Sequence, residues 1–145
     1  NNYKEIIWLL GQQNSDTSIT TDITVDSALL QLNGNDRFQR RNGTYFTIVQ
    51  RYQHHSGVHS VDMNNSMIDN GIHIYSFALK PEEHQPSGTC NFSRIDNTIL
   101  TVRVSNNAGN GHNAVRTDTN FLRVYAVNYN VLRIMSGMGG LAYSN

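Results

Sequence analysis

An all-β fold of antiparallel strands, a sandwich or a barrel, is what this sequence predicts, and three observations predict it. Apolar and polar residues alternate over short runs, the period of a strand with one buried face. Clusters of Gly, Asn, Asp and Ser separate those runs, as turns do. Only one stretch of the 145 residues switches to a helical period.

The first run, "KEIIWLL" (4–10), is apolar on both faces and predicts a buried strand. "GQQNSDTSITTD" follows as a long polar loop carrying at most a weak strand. "SALLQLNGNDRF" places Ala28, Leu30 and Leu32 on one face and then signals a tight turn with "NGND". In "TYFTIVQRYQ", Tyr45, Ile48, Val49 and Tyr52 fall at i, i+3, i+4 and i+7, which predicts a short helix with those residues inward. Thr44 or Asn42 is its expected cap.

"GIHIYSFAL" (71–79) and "NTILTVRV" alternate again, the second with Leu100, Val102 and Val104 on one face. "NNAGNGHNAVRTDTN" reads as a polar loop. "FLRVYAVNYNVLRIM" is the longest strand pattern of all. One of its faces carries Leu122, Val124, Ala126, Leu132 and Ile134; the other carries Tyr125, Val127, Tyr129, Val131 and Met135. A sandwich strand with one face in water should be polar on that side. Its second face is therefore expected against a loop, a neighbouring domain or another subunit. Five strands stand out, with a weak sixth. So few cannot close two sheets without long open edges. The chain also lacks an initiator Met and opens almost directly on a strand. The expectation is a partial domain, completed by residues upstream.

Composition narrows the function classes. Eleven basic residues balance eleven acidic ones, and Arg40–Arg41 is the single adjacent basic pair, so a phosphate-tracking surface is not expected. The charged fraction is 15%, and polarity comes instead from Asn, Ser, Thr and Gln. A lone Cys90 rules out an internal disulfide. No apolar run approaches the roughly 20 residues that span a bilayer as a helix.

Four segments carry residues capable of chemistry. "HHSGVH" offers His54, His55 and His59, with His84 further on, but no cysteine or carboxylate stands at a familiar zinc spacing. Glu82 and Glu83 are adjacent, flanked by Lys80 and Arg94 and bracketed by Pro81 and Pro86, which suits salt-bridged loop anchors better than an acid–base pair. Cys90 lies in "SGTCNFS", a turn feeding a strand, where a small buried residue fits better than a nucleophile. "SGMGGLAYSN" has the glycines of a phosphate cradle without the helix that must follow. Its glycines are expected to let backbone pass close to packed neighbours, with Met138, Leu141 and Tyr143 as anchors. Asn42, Asn64 and Asn91 open formal glycosylation triplets, weak signals in an Asn-rich chain. No catalytic constellation, metal site or cofactor site emerges.

"YSFALKPEEHQPSGTCNFSRIDN" and "NYNVLRIMSGMGGLAYSN", with "LQLNGNDRF", "YQHH" and "KEIIWLL" in the same order, closely resemble the C-terminal part of the major capsid protein of nucleocytoplasmic large DNA viruses. That resemblance covers nearly the whole chain. It implies two consecutive jelly rolls per polypeptide, with residues 1–145 forming the later part of the second. It implies a structural virion protein, not an enzyme, assembled in the infected cell into homotrimers of pseudo-hexagonal outline that tile an icosahedral shell. The implied partners are neighbouring capsomers and minor capsid proteins, with no direct nucleic-acid contact. An internal membrane beneath the shell and glycans on its surface are compatible with it.

In that setting Pro81, Glu82, Glu83, His84, Pro86, Gly88 and Arg94 are expected to hold one loop in one shape at a domain or subunit boundary. Tyr125, Tyr129, Met135, Met138, Leu141 and Tyr143 are the expected interface. The competing reading is a carbohydrate-binding jelly-roll module that stacks sugars on Trp8 or on some of the seven tyrosines. An exposed aromatic in a polar groove would favour it; a fully buried Trp8 favours the shell.

Overall fold

The computed structural model describes residues 1–13, 19–20, 23–57, 72–106 and 120–143. Its strands are β1 Asn2–Gln13, β2 Ile19–Thr20, β3 Ile23–Leu32, β4 Asn35–Asn42 and β5 Ile72–Ser76. They continue as β6 Cys90–Asn91, β7 Thr98–Asn106, β8 Asn120–Tyr129, β9 Leu132–Met135 and β10 Met138–Leu141. Every pairing is antiparallel.

β1 is the spine of the first sheet. β8 runs along its whole length, from Asn2 opposite Tyr129 to Gln12 opposite Asn120. The opposite edge of β1 is shared by β6, β5 and β2 in turn. The second sheet has the order β4-β3-β7. Its β3–β4 hairpin closes on Asn33 and Gly34, both at positive φ (51° and 79°), the geometry that an Asn-Gly pair supplies to a two-residue turn.

The two sheets meet across one core. Ile6, Trp8 and Leu10 of β1 face Val25, Ala28 and Leu30 of β3, with Phe46 and Tyr75 between them. Trp8 packs on Phe46 with ring centroids 5.0 Å apart, and Phe38 reaches both Phe46 and Tyr75. His73, opposite Trp8 in the β1–β5 ladder, stacks on its indole at 5.8 Å. Gly43 shows how tightly the segment after β4 is drawn in: a Cβ there would stand 1.8 Å from the Val25 carbonyl oxygen.

The strand count exceeds the five or six expected, because the described residues hold ten strands, two of them only two residues long. The long C-terminal pattern is not one strand. It breaks after Tyr129, where the Asn130 side chain accepts from the amides of Val131 and Tyr143 and donates to the Tyr143 carbonyl. Such side-chain bonds compete with the ladder and end it. β9 then folds back as β10 through Ser136 and Gly137, again both at positive φ. Within this chain a Cβ on Gly139 or Gly140 would meet nothing within 4 Å.

The helix forms where expected but turns a different face inward. A π-helical turn, Tyr45–Val49, runs straight into α1, Gln50–His54. Phe46, Thr47 and Gln50 are buried, whereas Val49 is exposed and Tyr52 is 79% exposed. The wider i→i+5 winding shifts the phase away from an α-helical period. Gln50 is tolerated inside because its amide bonds the Ser76 N–H and the Tyr45 hydroxyl. Of the two expected caps, Thr44 makes no side-chain cap bond, while Asn42 Oδ1 accepts from the Thr44 amide and hydroxyl.

Candidate assembly surface

The connector after β5 is held at many points. The register of β1 slips between Tyr3 and Glu5. The Lys4 carbonyl thereby receives the amides of both Phe77 and Ala78. Lys4 Nζ donates to the Pro81 carbonyl at 2.5 Å, and the Pro81 ring is fully buried. Ser87 closes the loop on itself, its hydroxyl accepting from the Lys80 amide at 2.8 Å. Gly88 has φ +146°, and a Cβ there would lie 2.8 Å from the Phe77 carbonyl oxygen, so only glycine fits without a shift.

Glu82 ties this loop to the end of α1. Its carboxylate accepts from the Ser56 amide at 3.0 Å and from the Ser56 hydroxyl, and His55 Nδ1 lies 3.2 Å away. The Ser56 hydroxyl and amide, aided by His55, hold the Glu82 carboxyl below the usual carboxylate range. On its other side His55 Nε2 comes within 3.0 Å of Glu5 Oε2, a buried carboxylate oxygen. That contact does not meet hydrogen-bond geometry. His54 Nδ1 meets the Leu79 carbonyl at 3.0 Å, pinning the same junction a second time.

The other expected anchors are placed differently. Glu83 pairs with Lys80 at 3.2 Å, both exposed, an arrangement of small energetic weight. His84, Pro86 and Arg94 are exposed, and neither His84 nor Arg94 bonds Glu82 or Glu83. The true partners of Glu82, His55 and Ser56, lie 26–27 residues upstream in a segment whose period says nothing about this loop.

Catalytic readings find no geometry here. Among the described residues no group of three metal-ligating side chains converges, and His59 lies outside them. Burial pushes the Cys90 thiol up, with Arg37 pulling weakly the other way, so it is held as a thiol. Asn42 and Asn91 are exposed with their side-chain oxygens engaged locally, while Asn64 lies outside the described residues. Trp8, the candidate sugar platform, is fully buried under Phe46 and His73.

Among the described residues, exposed large apolar side chains concentrate on β8, β9 and β10. On β8, Leu122, Val124 and Tyr125 are each about half exposed. Tyr129 is anchored instead: its hydroxyl reaches the Gln85 carbonyl and Lys4 Nζ sits over its ring. In the β9–β10 hairpin every residue is exposed. Of the residues expected at an interface, Met135, Met138 and Leu141 lie in this hairpin and Tyr143 just beyond it, all exposed, as are Leu132 and Ile134, which the single-strand reading puts on a core face.

Residues 5–140 match the family described as large eukaryotic DNA virus major capsid protein. The chain belongs to that family. The major capsid protein of Phaeocystis pouchetii virus is 62% identical over 118 residues, which are 81% of this chain and 20% of that protein. The major capsid protein of Pyramimonas orientalis virus is 49% identical over 156 residues, covering 98% of this chain and 36% of its own. Among solved structures, the PBCV-1 capsid protein fitted into a reconstruction of the virophage Sputnik superposes with a TM-score of 0.72 at 36% identity. That superposition covers all of this chain and 44% of the other, so the chain spans less than half the length of its capsid relatives.

Proposed function

We propose that this chain is the later part of the second jelly roll of a major capsid protein whose homotrimeric, pseudo-hexagonal capsomers tile an icosahedral shell. One observation carries the reading: a family match along nearly the whole chain coincides with a sandwich that is open at matching places. Among the described residues β8 pairs only with β1, and β7 only with β3. Two strands from upstream, one added to each edge, would bring each sheet its missing neighbour and cover the exposed apolar residues of β8.

The connector fits the same role. Pro81, Glu82 and Gly88 hold it in one shape, and a repeating lattice needs one shape at each boundary. Neighbouring capsomers and minor capsid proteins are the partners this implies. The balanced charge spares closely packed copies mutual repulsion. Intact-mass spectrometry with light scattering on native material tests the reading. A much longer polypeptide running as a trimer is expected; a stable 16.3 kDa monomer would overturn it.

A further inference from the structure

His55, which caps the C-terminus of α1, lies between two carboxylates from different parts of the fold. Its Nε2 stands 3.0 Å from Glu5 Oε2 on β1, and its Nδ1 stands 3.2 Å from Glu82 Oε1 on the connector. Glu5 is 6% exposed, and neither its Oε2 nor the His55 Nε2 has a hydrogen-bond partner among the described residues. A carboxylate enclosed in this way is costly unless a positive charge answers it.

The neighbouring cations are engaged elsewhere. Lys4, beside Glu5 on β1, bonds the Pro81 carbonyl and covers the Tyr129 ring. On the connector Lys80 pairs with Glu83. On the helix His54 meets the Leu79 carbonyl, and Arg51 makes no ion pair among the described residues. The π turn brings Tyr45, whose hydroxyl bonds Gln50. From β5 come His73, stacked on Trp8, and Tyr75, packed on Phe38 and Phe77. His55 is left to carry the charge.

A neutral imidazole has one N–H and one lone pair. Whichever nitrogen holds the proton, the other then turns a lone pair on a carboxylate. Only the protonated ring offers positive charge to Glu5 and Glu82 together. We propose that His55 is a proton-binding site, a clasp that fastens the connector to β1 and to the end of the helix when it is charged. Closing the clasp takes up a proton. It therefore tightens as the pH falls from 8 to 6, the range in which a free imidazole gains its charge. It loosens again only when Glu82 itself takes a proton, below its usual 4.5. All three charged groups belong to the described residues, so the clasp needs no other segment to complete it.

Hydrogen–deuterium exchange of the full-length capsid protein, corrected for intrinsic rates at pH 6 and pH 8, tests the clasp. Peptides covering 53–57 and 77–90 are expected to exchange more slowly at pH 6, by on the order of tenfold, as befits hydrogen bonding to a charged group. His55→Gln should abolish that difference, Glu5→Gln should reduce it, and His54→Gln should leave it in place. Equal protection at the two pH values in the unmodified protein would overturn the clasp and assign the proton to Glu5 instead. A difference that survives His55→Gln, or that disappears with His54→Gln, would overturn it in favour of another histidine. Should His55→Gln not fold, the unmodified protein and Glu5→Gln decide: a difference undiminished in Glu5→Gln overturns the proposal.

Discussion

Two regions of this molecule treat apolar residues in opposite ways. Around Trp8, residues from β1, β3, β5 and the helix bury one another, and even the polar Gln50 and Ser76 find partners inside. Around Met138, side chains of similar hydrophobicity face outward on both sides of a clamped hairpin. The first region is finished by its own contacts. The second is well formed and uncovered within this chain. Local order and burial are thus separable properties.

Substitutions sharpen that contrast. Trp8→Ala should cost the most, about 3–5 kcal/mol, because it empties the centre of the aromatic cluster. Guanidinium unfolding followed by circular dichroism measures it. A loss comparable to that of a surface substitution would mean the Trp8 region is not the finished core described. Gly43→Ala comes next, with an expected loss of about 3 kcal/mol, since the added methyl must displace the Val25 backbone. Trp8 fluorescence during unfolding reports it.

Glu82→Gln should have the smallest effect, and one that depends on pH. The folded Glu82 carboxyl titrates below its usual value of 4.5, held there by Ser56 first. Its contribution is therefore fully present above that value and is lost as the pH falls through the lower folded value. Wild type and Glu82→Gln should differ slightly in stability at pH 7 and converge as the solution is acidified toward pH 3. Limited proteolysis of the 77–90 loop across that range checks it. A difference that grows on acidification would contradict the described bonding.

Much of the fold was legible because its signals were local. Alternation placed β3, β5 and β7, a run apolar on both faces placed β1, and "NG" located the β3–β4 turn. The misreadings had physical causes of their own. The helix face was missed because a π turn has no signature in an α-helical period. The last strand was over-extended because the Asn130 clamp works through side-chain bonds to a residue 13 positions away. "SG" between "RIM" and "MGGL" was the available hint of a second hairpin. Glu82 stood out in the sequence; its partners did not, since His55 and Ser56 reach it only through the tertiary fold.

The pairing of β1 with β8 has a consequence in time. Ile7 emerges from the ribosome well before its ladder partner Tyr125. At about 5–20 residues per second, a ribosome leaves one long edge of the central strand bare for on the order of ten seconds. The strand so exposed, "EIIWLL", is apolar on both faces. During that interval the nascent polypeptide carries a hydrophobic edge able to pair with the wrong chain. Synthesis in bulk thus sets a race between completing this sheet and aggregation, and a holdase that shields β1 until β8 arrives would raise the yield of folded protein.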